Sequence, residues 1–390
     1  MKRILITLAA LAVAACASDQ AKKPEGAKAS LGDNGLSPVG VIPTALLHDA
    51  QRNKDLDISL EYPTRGGPFP VIIFSHGYGA SNRGYESMVA YWTGHGYVVI
   101  RPVHADAGAI REAPRDMTAA AARDDRRDQG RNRRGQQPAA QTPPPFRPNP
   151  AEEIWEKERE PQWRDRARDI SLIIDSLASL EERFPELKGK MDRAKIGVGG
   201  HGYGAFTAML VGGAKTFGNP PLQVGDARVT AVLAMSPQGV ASNRGLTAES
   251  WRDVKAPAMF MTGSRDFGAV ETETPEWRKT AYENSPAVDK YFVLFEGARS
   301  STFTGLAPLI AEQQPAPASM PYVDPRTGQV YDPYGGSPRT SGTFISDRGL
   351  FDRIRSLALT FWDAYLKNDA KAKERLTAGQ FGTNVTFEKK

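Results

Sequence analysis

Two glycine-framed turns follow short apolar runs in this chain. The first is Pro70-Val71-Ile72-Ile73-Phe74-Ser75-His76-Gly77-Tyr78-Gly79, and the second is Lys195-Ile196-Gly197-Val198-Gly199-Gly200-His201-Gly202-Tyr203-Gly204-Ala205. Further on come a carboxylate, in Thr262-Gly263-Ser264-Arg265-Asp266, and the run Glu296-Gly297-Ala298-Arg299-Ser300, which continues to Phe303 and Gly305. A hydroxyl becomes a useful nucleophile only when an imidazole takes its proton and a carboxylate orients that imidazole. The five histidines are His48, His76, His95, His104 and His201, so none follows the second turn. Cys16 is the single cysteine, which excludes a disulfide, a thiol nucleophile and a cysteine metal site from the folded part. No histidines pair at helical or loop spacing and no acidic loop of the calcium type is present, so neither a metal nor a cofactor is expected.

The elements that must position these residues read as alternating strands and helices, the signature of a mainly parallel sheet with both faces covered. Strands are expected at Ile58 to Tyr62, Val71 to Phe74, Tyr97 to Arg101, Ile196 to Gly199, Val229 to Met235, Ala258 to Thr262 and Tyr291 to Phe295. Ile170, Ile173, Ile174, Leu177 and Leu180 form one apolar stripe of a helix that begins near Trp163. A closing amphipathic helix carries Leu350, Ile354, Leu357, Phe361 and Tyr365. Two segments break the rhythm: an Arg-rich and then Gln/Pro-rich insertion over about 108–161, and a Pro/Gly-rich one over about 312–339. The domain is expected over 39–368, with 369–390 as a polar tail.

The order of these motifs resembles the α/β-hydrolase superfamily, in its dienelactone hydrolase and platelet-activating-factor acetylhydrolase branch. The resemblance covers the chain from Val39 to the closing helix, apart from the two insertions. It implies an α/β-hydrolase fold in which position 202 is the nucleophile elbow, where small flanking residues are needed because the turn is so sharp. The backbone N–H groups of Tyr78 and Tyr203 would form the oxyanion hole. It also implies a Ser, an Asp and a His where this chain has Gly202, Asp266 and Ser300. Only the acid matches, and Arg299 and Ser300 stand where the family reads Asp-His. A catalytically inactive homologue follows, acting as a binding or assembly component. The alternative is a divergent carboxylic-ester hydrolase that recruits Ser300, Ser301 or Asp266. His76 is expected to brace the oxyanion loop, His201 to point away from substrate, and His104 with Asp106 to be a loop pair or a remnant substrate contact.

The N-terminus points to the cell envelope. Lys2 and Arg3 precede an apolar run from Ile4 to Ala15, which is too short for a stable span and reads as a signal peptide over 1–15. Val13-Ala14-Ala15-Cys16 resembles the bacterial lipoprotein cleavage box, making Cys16 the lipid attachment site, with residues 16–38 as a lipidated, low-hydrophobicity tether. Ala17 in place of Asp implies the outer membrane, facing the periplasm. Much of the net charge of +5 traces to the Arg-rich segment between Arg111 and Arg134, interleaved with Asp116, Asp124, Asp125 and Asp128. No aromatic stacking pattern accompanies it, so nucleic acid is not an expected partner. The expected partners are the membrane through its lipid and a small ester or carboxylate ligand, or an envelope protein.

Overall fold

The computed structural model describes residues 36–80, 84–107, 150–268, 272–305, 322–323, 330–331 and 347–390. The expected signal peptide over 1–15, Cys16 and most of the first insertion lie outside the described residues. The main sheet has nine strands. β1 (Val39–Asp49), β2 (Lys54–Pro63) and β4 (Val98–Pro102) pair antiparallel in that order. β4 then pairs parallel with β3 (Phe69–Ser75), and β5 (Met191–His201), β6 (Val229–Met235), β7 (Ala258–Gly263) and β8 (Lys290–Phe295) follow in parallel. Outside the sheet, β9 (Tyr322–Val323) and β10 (Val330–Tyr331) make a small antiparallel ladder within the second insertion. β11 (Val385–Lys389) closes the main sheet antiparallel to β8.

The period-two pleat divides each central strand between two core layers. On β3, Val71 and Ile73 face one layer, with Ile170, Ile173, Leu177 and Leu180 of α2 (Pro150–Arg183) and Phe206 of α3 (Tyr203–Val211). Ile72 and Phe74 face the other, with Trp92 of α1 (Glu86–Gly94) and Ile354, Phe361 and Trp362 of α5 (Asp347–Leu366). Each such side chain removed from water contributes about 1.5–3 kcal/mol. The mid-strand Gly197 is explained by this packing, since a Cβ there would lie 2.7 Å from the Trp362 ring. A fourth helix, α4 (Pro275–Glu283), packs beside β7 and β8.

The structure corrects four expectations. The helix read from Trp163 begins at Pro150, so it takes in the end of the first insertion, with Pro161 inside it. The hairpin strand β1 was not anticipated. Nor does the strand ladder β9–β10 fit a second insertion without regular structure. The polar tail is no tail: Asp369 caps α6 (Ala370–Ala378) by accepting from the Ala372 N–H, and β11 then pairs with β8 from Tyr291 to Phe295. Polar residues mask this segment because only Ala372 and Leu376 of α6 are buried. Truncating Leu376, which is fully buried, tests the point. We expect Leu376→Ala to cost roughly 2–5 kcal/mol, read as a lowered thermal midpoint, whereas a residue in an unpacked tail would cost nothing measurable.

Candidate functional site

Backbone contact brings the two glycine-framed turns together. Ser75 at the end of β3 pairs with Gly200 of β5. A Cβ on Gly204 would lie 2.0 Å from the Ser75 carbonyl oxygen, and one on Gly200 would lie 2.2 Å from the Gly204 carbonyl oxygen. Glycine is therefore required at both flanks for steric reasons. Gly202 differs. It takes φ 57°, ψ −114° at the head of α3, yet no described heavy atom lies within 4 Å of where its Cβ would be. Its backbone is that of a strained elbow, and the space above it is open.

The loop after β3 is held from several sides. The His76 ring donates from Nδ1 to the Gly77 carbonyl at 2.7 Å and accepts the His104 N–H on Nε2 at 3.1 Å, so it braces this loop as expected. Arg166, buried on α2, donates to the His76 carbonyl at 2.9 Å and to both oxygens of Asp106. Asp106 accepts the Gly79 N–H at 3.0 Å. Beneath the loop, Ser75 donates to His104 Nε2 at 2.8 Å and His104 donates from Nδ1 to Asp169 at 2.8 Å. This serine, histidine and aspartate are all buried, and Arg166 caps the serine at 3.2 Å. His104 lies in the loop directly after β4, buried, and it pairs with Asp169 where Asp106 was the expected neighbour. It is a neutral internal strut, its pKa held well below 6.5 by burial first and then by the Arg166 charge.

Tyr78 and Tyr203 sit on the two turns with ring centroids 5.8 Å apart, and Tyr78 is 44% exposed. The Arg166 guanidinium lies over the Tyr203 ring at 4.3 Å. The two turns that should supply the oxyanion donors are therefore adjacent and their side chains packed. A cavity of about 860 Å³ lies elsewhere, between α2 and the β1–β2 turn. Its Arg52 and Arg168 are tied to Asp49, and its Arg164 to Glu160.

On the other side of the elbow a hydrogen-bond chain crosses the site. The Gly77 N–H donates to the Tyr85 hydroxyl at 3.3 Å, and that hydroxyl lies 2.8 Å from His201 Nδ1. His201 Nε2 lies 3.0 Å from Ser300 Oγ, and Ser300 Oγ lies 3.4 Å from Ser236 Oγ. Ser236 in turn bonds the buried Asp266 carboxylate. Both ends fix the direction. Asp266 only accepts, so Ser236 donates to it. Tyr85 already accepts from Gly77, and its buried proton has His201 Nδ1 as the acceptor in reach; leaving it unpaired would cost about 1–3 kcal/mol. The neutral ring then carries its proton on Nε2 and donates to Ser300, which donates onward. Protons along this chain all point toward Asp266.

Asp266 is fully buried. Its Oδ2 accepts from Thr262 at 2.9 Å, and Arg278 of α4 lies 3.3 Å from Oδ1 while donating to the Asp266, Ser236 and Pro237 carbonyls. Burial raises the Asp266 pKa, with Arg278 opposing. Burial first, then the Arg278 charge, pushes His201 down to about 4. Sequence reasoning anticipated Asp266 and Ser300 in one neighbourhood but missed Tyr85, Ser236 and Arg278. A buried arginine at the start of an amphipathic helix was the available signal for the last of these.

Residues 43–217 match the family model described as platelet-activating factor acetylhydrolase, isoform II. The platelet-activating factor acetylhydrolase of Cavia porcellus is 27% identical over 161 residues, 37% of this chain and 32% of that protein. The chain thus aligns with about a third of the length of that curated relative. A ferulic acid esterase from Streptomyces cinnamoneus superposes with a TM-score of 0.53 at 18% identity, covering 93% of this chain and 99% of that one. The family match takes in both glycine-framed turns and ends before Asp266 and Ser300.

Two outcomes test the geometry. Gly204→Ala should unfold or severely destabilise the protein, because the Ser75 backbone cannot yield, whereas Gly202→Ala should cost only the strain of its positive-φ backbone, about 1–3 kcal/mol. The second concerns acid. His76 and His201 both fall from 6.5 to about 4 in the fold. A depressed histidine favours the folded state above the unfolded pKa, and that contribution is lost as pH falls from about 6.5 toward 4. Chemical denaturation should therefore show stability dropping by several kcal/mol across that window, and His201→Gln should flatten the slope.

The sheet order, the helices on both faces and the glycine-flanked turn after β5 together make this chain an α/β-hydrolase-fold protein, similar over residues 43–217 to platelet-activating factor acetylhydrolase isoform II.

Proposed function

We propose that this protein is a non-hydrolysing α/β-hydrolase homologue of the bacterial envelope, a binding or assembly component that takes a small ester or carboxylate ligand or an envelope protein partner. One observation carries the reading: the elbow position holds Gly202, which has no atom able to attack a carbonyl. The position of the histidine holds Ser300, which has no basic nitrogen. Loss of one triad member costs several orders of magnitude in rate, and what survives comes from the oxyanion hole and binding. Glycine also adopts the elbow conformation at the least cost, so the substitution favours stability while removing chemistry.

A second reading has one observation in its favour. Ser300 Oγ and His201 Nε2 are 3.0 Å apart, the separation of a nucleophile and its base, with Tyr85 on the other ring nitrogen. Acid–base strength decides against it. A general base works best near the operating pH, and His201 at about 4 falls short by about three units, or roughly 4 kcal/mol. Among the described residues no carboxylate bonds the ring of the imidazolium it would form, and the ring lies under the field of Arg278. The proton on Nε2 also points the wrong way, toward the serine it would have to deprotonate.

The localisation belongs to the same proposal. The charged start, the apolar run to Ala15 and the small-residue box before Cys16 support attachment of lipid at Cys16, and the several acyl chains of a lipoprotein would hold it firmly to the membrane. Metabolic labelling with palmitate should mark the mature protein and Cys16→Ser should abolish the label; a soluble, unlabelled mature chain would contradict this.

The catalytic part is tested with short-chain esters. The unmodified protein should show no turnover that follows it through purification, and Gly202→Ser alone should remain close to inert, since no base deprotonates the new hydroxyl. Gly202→Ser with Ser300→His should gain weak hydrolysis beyond the sum of the single changes, because triad members act as a unit. Equal rates for the unmodified protein and the double variant would refute the proposal.

A further inference from the structure

The chain enters the folded body at the edge of the sheet opposite the elbow. The Ser37 N–H donates to the Gly94 carbonyl at 2.9 Å, and the Thr64 N–H donates to the Pro38 carbonyl at 2.9 Å. Leu36 packs there too, since a Cβ on Gly94 would lie 3.5 Å from the Leu36 Cβ. Leu36 and Ser37 line a cavity of about 560 Å³ together with Phe69 and Pro70 at the start of β3, Gly96 before β4 and Lys195 in the first half of β5. β3 and β5 run parallel, with Phe69 opposite Met191 and Ser75 opposite Gly200. The elbow at Gly202 and the loop from His76 therefore lie past the far ends of these strands, about 20 Å along them from Pro70 and Lys195. Asp266 and Ser300 follow the same ends of β7 and β8.

We propose that the elbow side of this protein faces away from the membrane that anchors it, so that its ester or carboxylate ligand is a water-borne molecule and not an acyl ester held in that bilayer. This orientation rests on the reading that Cys16 carries the lipid. Covalent reach sets it. Residues 16–35 cannot span more than about 70 Å even when fully extended. To lay the elbow on the bilayer, they would have to pass from Leu36 round the folded body and down to the lipid surface, about 60 Å for a domain of this size. That pose is open only to a segment extended almost throughout, which gives up nearly all of its conformational freedom. The pose with the Leu36 edge toward the bilayer makes no such demand.

The test uses the full chain, purified as the mature protein and inserted into phosphatidylcholine vesicles, with acylation read by mass spectrometry on the same sample. Cys16 is the single natural cysteine, so once it is acylated an introduced cysteine is the one free thiol. Arg65→Cys puts that thiol on the exposed loop before β3, next to the Thr64–Pro38 contact, and Phe267→Cys puts it on the elbow side, where the native ring is 59% exposed. A fluorophore on each thiol, with energy transfer to acceptor-labelled headgroups, gives its distance from the membrane surface. The label at 65 should lie closer than the label at 267 by at least about 10 Å, because about 20 Å of strand separates the two edges. A maleimide carrying a large polyethylene glycol should modify Phe267→Cys on vesicles at the rate it shows in detergent, as expected of a side open to water. Equal distances, a nearer label at 267, or slowed modification of Phe267→Cys in an acylated chain would overturn this proposal alone. A mature chain without acyl groups would overturn the lipid reading and the orientation together.

Discussion

Two backbones meet where Gly204 lays its bare α-carbon against the carbonyl of Ser75, with room for no side chain between them. That contact fixes the spacing of β3 and β5 at their C-terminal ends and so places the loop from His76 to Gly79 beside the elbow. Everything else in the site is arranged around this fixed pair. Arg166 and Asp106 hold the loop from the α2 side, while His76 ties the loop to β4 through the His104 backbone. The buried Ser75–His104–Asp169 chain has the residue types of a catalytic triad, but it works as a strut. It is sealed from solvent, and Arg166 donates to its serine at 3.2 Å.

The opposite side of the elbow is ordered by a single chain of hydrogen bonds from Gly77 to Asp266. Asp266 sets an acceptor-only end and Gly77 a donor-only end, so the hydroxyls and the ring between them align in a single direction. Such a chain stabilises two loops against each other. It also engages His201 Nδ1 as the acceptor of the Tyr85 hydroxyl. Arg278 balances the buried carboxylate that a histidine would otherwise face. The fold of a hydrolase and the electrostatics of a structural core coexist here because the first depends on glycines and apolar strands, whereas the second depends on a handful of polar side chains.

Much of the frame is legible in the sequence. Most of the interior strands are short apolar runs, and β2 alternates Ile58, Leu60 and Tyr62 with Ser59 and Glu61, so each reads as a strand and not a loop. The steric demand for glycine at positions 200 and 204 was readable from the turn alone. Edge elements were harder. β1 carries Pro43 and leaves Val41 and Leu46 exposed at 47% and 54%, and β11 and α6 bury so little that their sequences look like solvent-facing tails. In the site, Asp266 and Ser300 were found by their order along the chain. Tyr85, Ser236 and Arg278 were not, because their partners are distant in sequence and no spacing rule connects them. His104 was placed at the right strand end but given the wrong neighbour, since its partner Asp169 lies a full insertion away on α2.

The central claim is that no side chain at the elbow is an activated nucleophile, and covalent trapping tests it most directly. Treating the unmodified protein with a fluorophosphonate probe and mapping adducts by peptide mass spectrometry should give no modified serine, with the Gly202→Ser/Ser300→His variant labelled at position 202. Stoichiometric labelling of Ser300 in the unmodified protein would contradict the account, because it would mean that His201 accepts a proton from a serine hydroxyl to which, on this geometry, it donates one.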